Sequence, residues 1–464
     1  MARVLRSIFH PDVADYGQVD RDVLRLLTPI GPGYRALLAV CAALVLAWAA
    51  AVGYQVVLAF GVTGLTNPAG WGVDITNFVF WVGIAHAGTL VSAILFLFRA
   101  PWRQSVYRLA EAMTVFAVLT AGLFPLIHIG RLWFAYWLLP LPSQRHLWPN
   151  FRSPLLWDVF AVSTYLTVST IFFYIGLIPD IAAARDRTTV PWRKRLYRVL
   201  ALGWRGSGRE WKNFTRAYTY LAAFATPLVL SVHSVVSWDF AVSIVPGWHT
   251  TIFAPYFVAG AILSGVAMVI TIAIPLRQIF GFQAYFTELH FDRLAKLVLL
   301  TSLIVGYAYG TEYFMAWYSG ELYERSVFWD RVTGDYWWAG WSMILLNAVV
   351  PQLLWIKKVR RNLRALFLIS LLINIGMWWE RFVIIVPSLS HSYEPWKFLN
   401  YRWGTEFWWT IGAFGWFFLL LLLFLRVLPG VAIAELKEIL PPPLRGAPAP
   451  AATTAVEEEG HARA

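Results

Sequence analysis

Apolar runs of about 20 residues follow one another along nearly the whole chain, and short polar or charged segments separate them. A helix of that length crosses the hydrocarbon core of a bilayer, because each residue adds about 1.5 Å. The pattern therefore predicts an all-α, polytopic membrane protein with about ten transmembrane helices. The predicted spans cover residues 34–60, 74–98, 108–138, 155–178, 216–243, 251–276, 294–318, 338–356, 364–387 and 405–427.

The two ends of the chain differ from this apolar pattern. The first span follows about 30 mostly polar residues and shows no convincing cleavage site, so we interpret it as a retained helix rather than a signal peptide. Residues 1–33 are then a cytoplasmic N-terminal segment. The other end, 431–464, becomes Pro/Ala-rich and then acidic, which predicts a disordered cytoplasmic tail.

Composition supports a membrane protein and excludes several other classes. The chain is 59% hydrophobic and 14% charged, which is outside the range of soluble globular domains. The net charge of +12 does not indicate nucleic-acid binding, because Lys and Arg concentrate in the termini and in alternate loops. This distribution predicts that both termini are cytoplasmic. A single cysteine, Cys41, excludes a cysteine-ligated iron–sulfur cluster held by this chain alone.

The third predicted span contains a histidine and an arginine in an apolar segment, LFPLIHIGRLWFAYW. An ionisable side chain at bilayer depth costs a few kcal/mol on insertion scales, so it needs a partner or a function. His128 and Arg131 are three residues apart and are expected on one helix face. Pro125 precedes them and frees a backbone carbonyl one turn earlier. Asp158 opens the next span, so we expect it at the depth of His128, as its partner.

Other ionisable residues occur at several depths of the predicted spans. Such a series is what proton movement requires, although hydrogen bonding between helices also produces scattered polar residues. Each residue therefore has two interpretations, a proton-transfer group or a buried structural partner. The candidates are Asp74, His86, Glu111, His233, Asp239, Glu312, Glu380 and Arg381.

The chemistry that fits His128 and Asp158 is proton removal from a flat, hydrophobic molecule. Histidine titrates near neutrality, and a neighbouring carboxylate orients the ring and stabilises its protonated form. A quinol has an apolar ring and tail and loses two protons as its electrons leave. Three alternatives remain open: bis-histidine haem binding by residues such as His86 and His233, secondary transport, and a proton-conducting anchor without a quinol site.

Three long blocks of the sequence resemble a known family. They are GVDITNFVFWVGIAHAGTL, AEAMTVFAVLTAGLFPLIHIGRLWFAYW and WPNFRSPLLWDVFAVSTYLTVSTIFFYIGLIPD. They resemble the NrfD-like family, the membrane subunits of polysulfide reductases. Within it, they look most like the quinol-oxidising membrane subunits of alternative complex III, a bacterial quinol:electron-acceptor oxidoreductase.

The resemblance implies an architecture of two consecutive four-helix bundles, 74–245 and 246–388. A peripheral helix and loop, 34–73, and a final transmembrane helix, 389–430, would flank them. The resemblance also implies a quinol site in the first bundle, near the periplasmic face. Matching positions make His128 and Asp158 the catalytic quinol ligands, with Arg131 and Asp74 beside them. The implied proton path falls on Glu111, His86, His233 and Asp239.

Cofactor and partner expectations also come from the resemblance. The bound molecule would be a quinol or quinone, menaquinol or another, with no covalent cofactor and no metal on this chain. Iron–sulfur clusters and haems would belong to partner subunits. The implied partners are a periplasmic iron–sulfur subunit, a second NrfD-like membrane subunit, multihaem cytochromes of the c type and membrane lipids, without nucleic acid. The implied location is the bacterial inner membrane.

Overall fold

The computed structural model describes residues 16–27, 31–67, 69–391, 401 and 403–440, and its elements are helices. This confirms the all-α prediction. We number the α-helices in chain order: α1 (Tyr16–Leu24), α2 (Pro32–Leu58), α3 (Val73–Thr89), α4 (Tyr107–Ala121), α5 (Leu123–His128), α6 (Pro154–Arg187), α7 (Pro191–Leu200), α8 (Gly208–Ala241), α9 (Phe253–Ile279), α10 (Glu288–Ser319), α11 (Leu322–Thr333), α12 (Trp337–Ile344), α13 (Lys357–Arg361), α14 (Leu363–Ser390), α15 (Glu406–Val427) and α16 (Ile433–Ile439).

Nine helical segments of the described residues are long and apolar enough to cross a membrane. They coincide with nine of the ten predicted spans. The nine segments are Pro32–Val62, Val73–Leu97, Tyr107–His128, Pro154–Arg187, Gly208–Ala241, Phe253–Ile279, Glu288–Ser319, Leu363–Ser390 and Glu406–Val427.

The eighth predicted span, 338–356, is helical but interrupted. α12 is followed by a π turn, Leu345–Val349, and a 3-10 turn, Val350–Trp355. Pro351 cannot donate a backbone hydrogen bond, which explains the change of helix type beside it. This segment is therefore less regular and less apolar than the pattern predicted.

The third predicted span ends ten residues earlier than expected. α5 ends at His128, and Gly130 adopts a left-handed conformation with φ of 76°, which glycine tolerates best. Arg131 is then extended, and the aromatic segment Leu132–Leu138 is a separate 3-10 helix. The expectation that His128 and Arg131 share one helix face is wrong, because the helix has ended between them.

α3 lies at the centre of the fold and contacts α4, α5, α8, α9 and α14. Every α3 residue except Ile75 is buried. Glycines allow its close approaches: a Cβ at Gly265 of α9 would lie 2.8 Å from the Ile84 carbonyl oxygen. α2 and α15 pack against each other beside this core. The division into two bundles, with the boundaries given above, stays a prediction.

The C-terminal segment is folded as far as residue 440. Val431, Ala432, Ile433 and Leu436 are buried, so this apolar stretch packs against the rest of the fold. The predicted disordered tail is therefore wrong for 431–440, and its remaining residues, 441–464, lie outside the described residues, as do 1–15 of the N-terminal segment.

Candidate functional site

A cavity of about 330 Å³ lies among α3, α5, α6 and α8. Its walls are mainly apolar and aromatic, with Trp71, Phe78 and Phe240 among the lining residues. Pro125 also lines the cavity, one turn before His128. A volume of this size lies within the range of small-molecule sites. Three ionisable residues line it as well: His128, Asp158 and Asp239.

His128 is held by Asp74 rather than by Asp158. The Nδ1–H of His128 donates to Oδ2 of Asp74 over 2.7 Å. The other carboxylate oxygen of Asp74 accepts from the backbone N–H groups of Gly72 and Ile75, at 3.0 and 2.9 Å. Asp74 is fully buried, whereas about a third of the His128 side chain is accessible. Because Nδ1 is occupied, Nε2 is the ring nitrogen left to meet a molecule in the cavity.

The partner expected for His128 was therefore wrong, for a geometric reason. Asp158 lies just past the first turn of α6, while Asp74 lies in the first turn of α3, which packs directly against α5. Depth along the membrane normal could be inferred from helix ends. The lateral arrangement of the helices could not.

Asp158 pairs instead with Asp239, near the end of α8. Their carboxyl groups are close enough to interact, and both are largely buried. The preceding residues, Trp157 and Trp238, also meet, with ring centroids 6.1 Å apart. Two ionised carboxylates at close range repel strongly, so a proton transferred to either of them relieves that repulsion. The resemblance implied a place for Asp239 on a proton path, and the structure places it in the cavity wall.

Arg131 does not line the cavity. It is exposed and follows Gly130, where the backbone has already turned away from α5. Its predicted place beside the site came from the resemblance and from helical spacing, and that spacing does not apply beyond His128.

His86 and His233 form a separate buried pair between α3 and α8. Their ring centroids are 4.5 Å apart, which leaves no room for a porphyrin between them. Nδ1 of His86 donates to the Val82 carbonyl over 2.6 Å. Within the described part of the chain, neither ring nitrogen of His233 has a hydrogen-bond partner. The His86 ring also packs against Tyr165, with centroids 5.1 Å apart.

Glu111 belongs to an ion-pair network at the opposite ends of these helices. Arg108 donates to Glu111 over 2.9 Å and to Asp180 of α6 over 3.0 Å. Tyr218 of α8 donates its hydroxyl proton to the other Glu111 oxygen over 2.8 Å. All four side chains are buried. The sequence singled out Glu111 alone, although Arg108, one turn earlier on the same helix, was a usable signal.

A further buried polar cluster lies between α10 and α14, away from the cavity. Arg381 pairs with Glu380 over 2.6 Å, and Glu380 also accepts from the Tyr309 hydroxyl. Glu312 lies one turn beyond Tyr309, and its Oε1 has no hydrogen-bond partner among the described residues. The sequence pattern identified three of these groups as ionisable residues within spans and gave them no specific role.

A family match and several related proteins agree on the family of this chain. The family described as "Polysulphide reductase, NrfD" matches residues 61–392. A putative dimethyl sulfoxide reductase membrane subunit of Halobacterium salinarum is 28% identical over 269 residues, 57% of this chain and 56% of that protein. A selenate reductase subunit of Mesobacillus selenatarsenatis is 25% identical over 70% of this chain and 75% of its own length.

A third relative is named for a quinol. The Hdr-like menaquinol oxidoreductase integral membrane subunit of Archaeoglobus fulgidus is 21% identical over 71% of this chain and 73% of its own length. The chain thus spans just over half of the Halobacterium relative and about three quarters of the other two.

Proposed function

Because the chain belongs to the NrfD family of polysulphide reductase membrane subunits, we propose that it oxidises quinol as the membrane subunit of an electron-transfer complex. The complex is of the alternative complex III type and lies in a bacterial inner membrane. A quinol substrate agrees with the name of the Archaeoglobus relative, a menaquinol oxidoreductase subunit. Menaquinol is accordingly the expected substrate.

The observation that carries this proposal is the meeting of His128, Asp158 and Asp239 in one apolar cavity. A quinol ring needs apolar walls, which aromatic side chains from α3 and α8 provide. Its two hydroxyl groups need proton acceptors on opposite sides. The histidine from α5 and the carboxyl pair from α6 and α8 supply two acceptors in the cavity wall.

Oxidation of the quinol removes two electrons and two protons. Nε2 of His128 takes one proton, and the buried carboxylate of Asp74 stabilises the resulting imidazolium through Nδ1. The carboxyl pair, Asp158 and Asp239, takes the other proton. The two electrons pass to an iron–sulfur subunit on the periplasmic side, and from there to multihaem cytochromes of the c type.

Protons leave the cavity through buried polar groups in this proposal. Asp239 and His233 lie on the same helix, α8, and His233 contacts His86. Beyond them lie Tyr165 and the Glu111 network. We propose this order for the proton path.

The experiment compares variants of the purified complex in quinol oxidation. His128→Ala should lower kcat about 100-fold or more, because it removes a general base. Asp158→Asn should lower it about tenfold. Ser163→Ala is the matched control, since Ser163 lines the same cavity and accepts no proton from quinol; its rate should be parental. A parental rate for His128→Ala in an assembled complex would refute the assignment and favour a non-catalytic anchor.

A further inference from the structure

The peripheral helix α2 and the 3-10 helix that follows it, Ala59–Val62, contact the short helix that carries His128 near both of its ends. Trp48 stacks on Phe124, with ring centroids 5.7 Å apart and planes 28° apart. At the other end, the Phe60 ring covers Gly130, where an added Cβ would lie 2.5 Å from Phe60 Cζ. Helix α2 therefore supports α5 at its start, and the 3-10 helix that follows α2, Ala59–Val62, supports the turn after α5.

Between these two contacts, α2 makes a polar contact with the last peptides of α5. Nε2 of Gln55 donates to the carbonyl oxygen of Ile127 over 3.0 Å. This carbonyl precedes His128 directly, and it also accepts from the N–H of Gly130 over 3.0 Å. Gln55 is only 1% exposed, on a helix with few buried residues.

Packing alone does not account for a glutamine at this position. Burying an amide within a membrane costs free energy unless it is hydrogen-bonded, and a Met or Leu side chain would fill the same space. Oε1 of Gln55 has no partner among the described residues, so only its N–H group is used. The contact instead fixes one end of α5, which is six residues long and has little stability of its own.

We propose that Gln55 is a positioning residue for His128. It holds the Ile127 peptide while Asp74 holds the imidazole, so that backbone and ring are fixed from two different helices. Nε2 then faces the quinol at the distance that proton transfer requires. This inference rests on the proposed function, because His128 is the base being positioned.

The test replaces the amide in the intact complex and separates kcat from KM. Gln55→Met keeps the side-chain length and removes the donor. We expect kcat for quinol oxidation to fall about tenfold with KM changed less than about twofold, because small misplacements of a reacting group reduce the rate more than binding. Gln55→Asn keeps the amide but shortens its reach, and should give a smaller loss of kcat.

The matched control is Tyr34→Phe. Tyr34 lies on the same helix, and its hydroxyl donates to the Leu422 carbonyl over 2.6 Å, so the variant removes a similar bond far from His128. It should keep the parental kcat. The proposal is overturned if Gln55→Met keeps the parental kcat, or if Tyr34→Phe loses as much kcat as Gln55→Met does. His128→Ala is measured alongside these variants. If His128→Ala is inactive while Gln55→Met keeps the parental kcat, only the positioning role is rejected. If His128→Ala is fully active, the proposed function is rejected.

Discussion

Replacing Asp74 by asparagine should stop His128 from acting as a base while leaving its side chain in the cavity wall. Oδ1 of Asp74 accepts two backbone N–H groups, from Gly72 and Ile75. An asparagine must keep its carbonyl oxygen on that side, which turns its NH₂ group towards Nδ1 of His128. Nδ1 then has to accept a hydrogen bond, so the ring proton moves to Nε2. The nitrogen that faces the cavity is no longer a base.

The size of the effect follows from the 2.7 Å bond between Asp74 and His128. A hydrogen bond to a charged group contributes about 1.5–3 kcal/mol, and this one strengthens as the imidazole becomes charged. At about 1.4 kcal/mol per factor of ten, Asp74→Asn should lower kcat about 10- to 150-fold. KM should change less, because the cavity walls are untouched.

The assay is steady-state quinol oxidation by the assembled complex, with a soluble naphthoquinol and an artificial electron acceptor. The amount of each protein in the complex is measured alongside the rate, so that lost assembly is not mistaken for lost catalysis. A kcat within about twofold of the parental value, in a fully assembled complex, would show that Asp74 does not control the ring of His128.

Three further predictions concern other parts of the chain. Asp239→Asn should lower kcat about tenfold. Adding Asp158→Asn should lower kcat little further, because the two carboxyls act as a unit. A double-mutant cycle of kcat values checks this prediction. Gly88→Ala would push a Cβ into the Ala110 backbone and should lower the free energy of unfolding by about 1–3 kcal/mol, measured by thermal unfolding. Gly310 has open space around it, so Gly310→Ala should leave the free energy of unfolding unchanged. Burial and the neighbouring Asp335 raise the pKa of Asp330 to about 6. The folded state therefore retains a proton on this carboxyl and loses stability as the pH rises from about 4 to 6. Asp330→Asn should raise the melting temperature at pH 7 and leave it unchanged at pH 4.

The helices were predictable because each span must bury its backbone polar groups and match the bilayer thickness. Nine of ten spans follow from apolar length alone. The regularity of the eighth span was overestimated, because Pro351 and the polar residues around it lie in a run that is otherwise apolar. The third was extended past Gly130, since Leu132–Leu138 is as apolar as the helix before it.

The sequence predicted ionisable residues that line the cavity, but it did not predict which of them pair with each other. His128 and Asp158 were identified because ionisable groups are rare at that depth. Which carboxylate meets which base depends on the lateral packing of α3, α5, α6 and α8. Helical periodicity does not report that packing. Gln55 was missed because a single glutamine in an apolar helix gives no signal until the helix is placed beside α5.

The helix ends opposite the cavity are closed by α1 and α16. Asp20 of α1 pairs with Lys437 of α16 over 2.7 Å, and Glu435 pairs with Arg103 over 2.9 Å. The backbone N–H of Ala434 donates to Asp180 over 2.9 Å. Among the described residues, α16 follows all nine helical segments that are long and apolar enough to cross a membrane. Arg103 and Asp180 therefore acquire these partners only after the described membrane-spanning helices have been synthesised.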